Sequence, residues 1–245
     1  MTAAPPATRL PVSCGPWLTA WPWAETLPGA RWLALRYDRV AFTPEAWSHA
    51  AVTPPEALRS AAPKRQLEFL AGRLCAREAL NALSGEPCVP AIGADRAPCW
   101  PAGTVGSITH SGDLAAALVA GTERWRGLGQ DAETLLDEAR AARLGPQILT
   151  PDERHWFDTL PREQRGEFVT LAFSLKESLF KALFPLVGVR FYFQDAELTD
   201  WDAGRLSATL TLRTSLSDAW PAGRSLAGHY AHLAPYLLSL VAIPA

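Results

Sequence analysis

The feature that most restricts the fold is a grammar the chain uses twice: helical patterning, then strand patterning that folds back on itself. In the first half, PKRQLEFLAGRLCAREALNAL (Pro63–Leu83) carries Leu67, Leu70, Leu74 and Cys75 as the buried stripe of one long helix. Gly85 and Pro87 end it. VGSITHSGDLAAALVAG follows, two strands joined at Ser111-Gly112-Asp113. In the second half, helices are expected over about 134–144, 150–160 and 163–184, then strands in VRFYFQDAEL, RLSATLTLRT and SLAGHYAHL. No literal repeat of letters links the halves. The expected class is α+β: two similar lobes with a pseudo-twofold relation, each a small antiparallel sheet packed with helices. The boundaries fall at 1–125 and 126–245, with any site in the cleft between the lobes.

Local signals refine this frame. Residues 1–28 are rich in Pro, Ala and Trp and read as an irregular leader. RWLALRYD (31–38) alternates as a strand does. TPEAWSHA, TPPEALRSAA and TPDERHWFDTL each set a Thr before Pro, an N-cap followed by Pro at the first helical position. Pro87 to Gly103 is a long Pro- and Gly-rich loop, of a length that points to function. RGLGQDAETL begins as a strand and is expected to break at Asp131.

Composition excludes several classes. With 48% apolar and 20% charged residues the chain is globular. A net charge of −2 gives no bulk polyanion surface, so no nucleic acid is expected and any phosphate site is local. No apolar run approaches a membrane span, and the start has no signal-peptide pattern. Cys14, Cys75, Cys88 and Cys99 have no CxxC spacing and read as reduced thiols of a cytoplasmic protein.

Three groups of residues carry chemistry. On a strand, Asp131 and Glu133 share a face. Two carboxylates there mark either acids at the start of a helix or a pair held by positive charge. In FSLKESLFKAL (Phe173–Leu183), Ser174, Glu177, Ser178 and Lys181 lie on one stripe, opposite Leu175, Leu179 and Ala182. Glu177 and Lys181 are either an i,i+4 ion pair on a solvated face or a metal ligand beside a phosphate ligand. Asp131, Glu133 and Glu177 together would suit Mg²⁺, a hard ion that takes a few carboxylates. On the long helix, Arg73 and Arg77 lie four apart, with Arg65 two turns earlier. They read either as a solvated face paired with Glu68 and Glu78, or as a set for a phosphomonoester. His110, at the bend of SITHSGD, is either structural or site-facing. Glu153 is by default an N-terminal acid favouring its helix dipole.

Taken in order, KRQLEFLAGRLCAREAL, WPAG, SITHSGDLAAALVA, GLGQDAE and FSLKESLFKA resemble the 4′-phosphopantetheinyl transferases, over about residues 60–200. The resemblance is closest to the monomeric two-lobed kind that serves siderophore, polyketide and peptide synthetases. It implies transfer of the phosphopantetheine arm of coenzyme A to a serine of an apo-carrier protein, releasing adenosine 3′,5′-bisphosphate. By it, Asp131, Glu133 and Glu177 would hold Mg²⁺, with Mn²⁺ as an alternative, and Lys181 would bond the same phosphate with Lys176 in support. Arg65, Arg73 and His110 would hold the 3′-phosphate, with Arg77 a weaker candidate and Thr109 beside them. The loop from Ile92 to Arg96, including Gly93, would cover the adenine. Glu153 would take the serine proton. The partner would be an acyl or peptidyl carrier, an acidic helical domain.

Two positions depart from the family pattern. Gln130 stands where an aliphatic residue is usual, and Leu175 where a small one is. Each reads as a packing change, or Gln130 as a partner of a metal-bound water. Two rival classes remain: a different Mg²⁺-dependent phosphate enzyme, and a non-catalytic module that binds coenzyme A or a carrier protein.

Overall fold

LAAALVAG lacks strand alternation because both of its faces are covered. It forms the third strand of a four-stranded sheet, sandwiched between a long helix and a second sheet. In the computed structural model, which describes residues 10–245, the first half runs β1 (Cys14–Leu18), β2 (Arg31–Tyr37), α1 (Glu45–His49), α2 (Glu56–Arg59) and α3 (Pro63–Ser84). It continues with a short ladder, β3 (Ala91–Ile92) with β4 (Pro98–Cys99), and the hairpin β5 (Thr104–Ser111) and β6 (Leu114–Gly121). The second half runs β7 (Trp125–Thr134), α4 (Glu138–Ile148), α5 (Pro151–Thr159), α6 (Arg162–Val187), β8 (Ala196–Asp202), β9 (Ser207–Leu212), β10 (Ser225–Leu233) and β11 (Tyr236–Pro244).

Two antiparallel sheets result, ordered β1-β2-β6-β5 and β7-β11-β10-β9-β8. They stack face to face, with α3 on one outer face and α6 on the other. Ala115, Ala117 and Val119 of β6 point to α3 and its stripe of Leu67, Leu70, Leu74 and Cys75. Leu114, Ala116, Leu118 and Ala120 point the other way, onto Leu128, Ala132, Leu238 and Leu240 of the second sheet. Small alanines on β6 let these layers approach. The third core lies under α6, where Phe168, Leu171, Leu175 and Leu179 meet Leu210, Tyr230, Leu237 and Val241. The large Leu175 is accommodated by Gly228, whose missing Cβ would stand 2.7 Å from the Leu175 Cδ2. The class is therefore α+β, with each half built as a long helix on an antiparallel sheet.

Several sequence expectations need correction. Of the leader, residues 1–9 lie outside the described residues, and Cys14–Leu18 is an edge strand rather than irregular chain. Thr43 and Thr53 do not cap their helices: Pro44 and Pro55 hold the cap positions with no side-chain bond. Thr150 does cap, accepting the Glu153 N–H at 3.2 Å. The strand at Asp131 does not break there, because β11 pairs with it through Thr134. The helix expected over 134–144 starts at Glu138, where Asp137 accepts the Arg140 N–H at 2.8 Å. VRFYFQDAEL is a strand only from Ala196, since Asp195 accepts the Tyr192 N–H and closes a 3₁₀ turn before it. The sequence reading also stopped short of β11, which lies inside its sheet between β7 and β10. The four cysteines are free, as expected. Among the described residues, no helix is long and apolar enough to cross a membrane.

Candidate functional site

The site forms where β7 passes under α6. Gly127 and Gly129 let the helix backbone rest on the strand. A Cβ on Gly129 would stand 1.8 Å from the Ser178 carbonyl oxygen, and one on Gly127 2.3 Å from that of Ala182. Period-two alternation then carries Asp131 and Glu133 out on the same face, toward Ser174, Glu177 and Lys181. The spacing Gly-x-Gly-x-Asp-x-Glu thus encodes a close crossing followed by two acids at its mouth.

Asp131 is 5% exposed, and both of its oxygens are held. Oδ1 accepts from Lys181 Nζ at 2.6 Å and from Thr109 Oγ1 at 3.1 Å; Oδ2 accepts from Ser174 Oγ at 3.0 Å. Ser174 and Ser178 both meet Ser239 Oγ of β11, at 2.7 and 2.8 Å. Sequence reasoning missed this buried hydroxyl chain. Its signal was a lone serine in the apolar run YLLSLVAI.

Burial, and then the Asp131 charge, push the Glu133 carboxyl up to about 7, against the pull of Lys181. Glu177 is raised as well, first by burial, with Lys181 opposing and Asp131 adding to it. Glu133 and Glu177 thus lie close enough to Asp131 to feel its charge. Among the described residues, no three His, Cys, Asp or Glu side chains gather closely enough to hold a metal ion. Lys181 supplies the positive charge instead. The donor set still fits a hard divalent cation by its chemistry, three carboxylates of which Glu133 and Glu177 have no ion-pair partner of their own among the described residues.

On the other side of the sheet, Gly72 of α3 sits against Ile108 of β5, where a Cβ would stand 2.8 Å from Cγ2. This contact brings the Arg-bearing face of α3 to His110. Arg65 Nη1 lies 3.3 Å from His110 Nε2. Burial lowers the His110 pKa, with Glu68 opposing and Arg65 adding to the fall. Arg73 is 5% exposed, lies 4.5 Å over the Phe69 ring, and leaves Nε without a partner. Burial draws its pKa down to about 10. A buried guanidinium with an idle donor is costly and calls for an anion.

Arg77 does not share this role. Its Nη1 donates to the Ala50 carbonyl at 2.6 Å and its Nε to Glu78 at 3.2 Å, which fixes the α1–α2 connection. Thr109 turns its hydroxyl to Asp131 rather than to the Arg pocket. The loop around Gly93 and Arg96 is a tight exposed turn: Gly93 N–H donates to the Ala97 carbonyl, and Arg96 sits at φ 72°.

Lys176 and Glu153 are brought together away from the acids. Lys176 Nζ donates to Glu153 Oε2 at 2.6 Å and to the Ile148 carbonyl at 2.9 Å. Glu153 also accepts the Thr150 N–H at 2.7 Å and the Leu198 N–H at 2.6 Å. With its side chain 0% exposed, Glu153 presents neither carboxylate oxygen to solvent or to the acid cluster. It ties α5 to α6 and β8. Burial holds the Lys176 pKa below the usual range even beside that carboxylate.

Beside Glu177 opens a cavity of about 200 Å³, lined by Lys176, Phe180, Arg190, Phe191, Tyr192 and Phe193. Tyr192 is 72% exposed at its rim. The sequence reading passed over these aromatics by placing 189–195 in a strand.

Comparison with known proteins follows the division into two sheets. Residues 54–120 match the 4′-phosphopantetheinyl transferase N-terminal domain, and residues 127–237 match the 4′-phosphopantetheinyl transferase superfamily. The 4′-phosphopantetheinyl transferase PptT of Mycobacterium tuberculosis is 34% identical over 72% of this chain and 76% of its own. The 4′-phosphopantetheinyl transferase Svp of Streptomyces mobaraensis is 41% identical over 61% of each chain. Enterobactin synthase component D of Salmonella typhi is 39% identical over 62% of each. The chain thus spans about three fifths of the length of these last two relatives. A holo-(acyl-carrier-protein) synthase structure from Bacillus anthracis overlays 50% of this chain and 98% of its own, at 23% identity and a TM-score of 0.37.

Proposed function

Since the chain belongs to the 4′-phosphopantetheinyl transferase superfamily, we propose that it moves the 4′-phosphopantetheine arm of coenzyme A to a serine hydroxyl of an apo-carrier protein. The other product is adenosine 3′,5′-bisphosphate. One observation carries this reading. Along the contact of β5 with β7, the buried Arg73 with its idle Nε and the Arg65–His110 pair lie on the α3 side, and a cluster of acids with its own lysine lies on the α6 side. A substrate with a phosphomonoester at one point and a diphosphate at another matches that pair of sites.

In this reading Arg73 turns its idle Nε to the 3′-phosphate, and Arg65 and His110 close on the same group. Lys181 exchanges part of its bond to Asp131 for the diphosphate. The turn at Gly93 and Arg96 covers the adenine. Asp131, Glu133 and Glu177 would hold Mg²⁺, whose chemistry there is to neutralise charge on the diphosphate oxygens. The aromatic cavity beyond Glu177 suits the methyl and methylene parts of the arm. Serine oxygen bonds the phosphorus nearest pantetheine and gives its proton to water, while the bond from that phosphorus to the adenosine-side oxygen breaks and its electron pair leaves on the bisphosphate. Glu153 enters as the anchor of Lys176, which borders the arm's cavity, and not as the acceptor of the serine proton. The same reading takes a monomer working in the cytoplasm on carriers of siderophore, polyketide or peptide synthesis, whose acidic surface meets Arg190 and Tyr192.

Product release tests it. With coenzyme A, Mg²⁺ and an apo-carrier, chromatography should show adenosine 3′,5′-bisphosphate forming in proportion to added carrier. Carrier-independent release of phosphate would point instead to a hydrolase.

A further inference from the structure

The two sheets meet at β5 and β7 without a backbone ladder. Side chains make the join. Gln130 N–H donates to Ser107 Oγ at 3.0 Å, and Ala132 N–H donates to Thr109 Oγ1 at 3.1 Å. Two hydroxyls from β5 thus serve the free edge of β7.

Gln130 adds a second set of bonds. Its side chain points away from the acids, into the apolar layer that holds Leu128 and Ala132. It is 0% exposed. Oε1 accepts from Trp32 Nε1 of β2 at 2.9 Å, and Nε2 donates to the Ser107 carbonyl of β5 at 3.0 Å. Its own carbonyl accepts from Lys181 Nζ at 3.2 Å. This geometry excludes a bond from the Gln130 amide to a metal-bound water.

An amide in an apolar layer is tolerated only where its polar atoms are met. Here both side-chain partners belong to the first half of the chain. An aliphatic residue would pack in several registers; this amide is satisfied in one. We propose that Gln130 is a positioning residue that locks the register between the two sheets. It thereby sets the separation between the Arg73 pocket and the Asp131–Lys181 cluster. The proposal rests on the coenzyme A reading for its consequence, and on the hydrogen bonds alone for its mechanism.

Two variants and two readouts test it. Gln130→Met keeps the volume and loses both side-chain bonds. Hydrogen exchange of the ligand-free protein should quicken at the Ala132 amide by about tenfold or more, while Tyr230 and Leu237 keep their protection. The affinity advantage of coenzyme A over dephospho-coenzyme A should shrink at least about fivefold, because the two sites no longer hold one spacing. Adding Trp32→Phe removes the orphaned indole donor. The double variant should regain melting temperature but not the lost discrimination. Unchanged Ala132 exchange, uniform quickening across both sheets, or full discrimination in both variants would each overturn the proposal. Equal binding of the two nucleotides by the parent protein would strike the coenzyme A reading instead. The exchange result would then decide on Gln130 by itself.

Discussion

Lys181 donates to Asp131 Oδ1 at 2.6 Å, from a helix to a strand fifty positions away in the chain. The pair is poised rather than spent, since the lysine side chain keeps 27% of its surface exposed while the aspartate keeps 7%. An arriving diphosphate can share the lysine without unfolding anything. Lys181→Met should therefore lower kcat/KM by about 10- to 100-fold, the worth of one charge-assisted bond to phosphate. Its melting temperature should also fall, because the buried Asp131 loses its countercharge and keeps only the hydroxyls of Thr109 and Ser174. Steady-state kinetics with a thermal melt checks both halves.

Arg73 stores a cost in the empty protein. Arg73→Met keeps the contact with Phe69 and removes the idle Nε, so the ligand-free variant should melt at or above the parent's temperature. Coenzyme A affinity should fall about tenfold or more, while dephospho-coenzyme A affinity barely moves. Calorimetric titration with both nucleotides gives the comparison. Equal losses for the two would remove Arg73 from the 3′-phosphate.

Glu153 should behave as a structural acid. Glu153→Gln leaves Lys176 buried without its counterion and should destabilise by about 3 kcal/mol. Glu153→Gln with Lys176→Met removes the stranded charge and should recover much of the stability and most of the turnover per folded molecule. Denaturant unfolding and active-site-normalised rates would show this. A well-folded double variant with no turnover would return the proton-accepting role to Glu153.

The raised Glu133 pKa fixes a pH dependence. In the unfolded chain the group titrates near 4.5, and in the folded chain near 7. The folded state therefore binds the proton more tightly. This stabilisation is complete below about 4.5 and is lost as pH rises through about 7. Thermal melts in chelator should fall across that window. Mg²⁺ should offset the fall, with its stabilising effect growing as Glu133 ionises. Melts that rise in chelator from pH 4.5 to 7 would contradict the assignment.

The parts of the fold legible in sequence were those governed by local rules. The stripe Leu67, Leu70, Leu74 and Gly85 marked α3 from start to cap, and Thr150-Pro151 marked α5. What escaped depended on partners far away. The continuation of β7 past Asp131 depends on β11, which lies about a hundred residues on and pairs with it through Thr134. The acids and Lys181 were readable from alternation and helical spacing. The bond that makes Glu153 structural was not, since Lys176 and Leu198 reach it only through the tertiary fold. Arg77 shared its spacing with Arg73 and differed only in meeting the Ala50 carbonyl.

The mass of an apo-carrier protein, taken after incubation with the chain, coenzyme A and Mg²⁺, weighs the central claim most directly. The expected result is a gain of one phosphopantetheine group on the carrier serine, abolished by chelator and by Glu177→Gln. A carrier whose mass stays unchanged with every divalent metal supplied would contradict it.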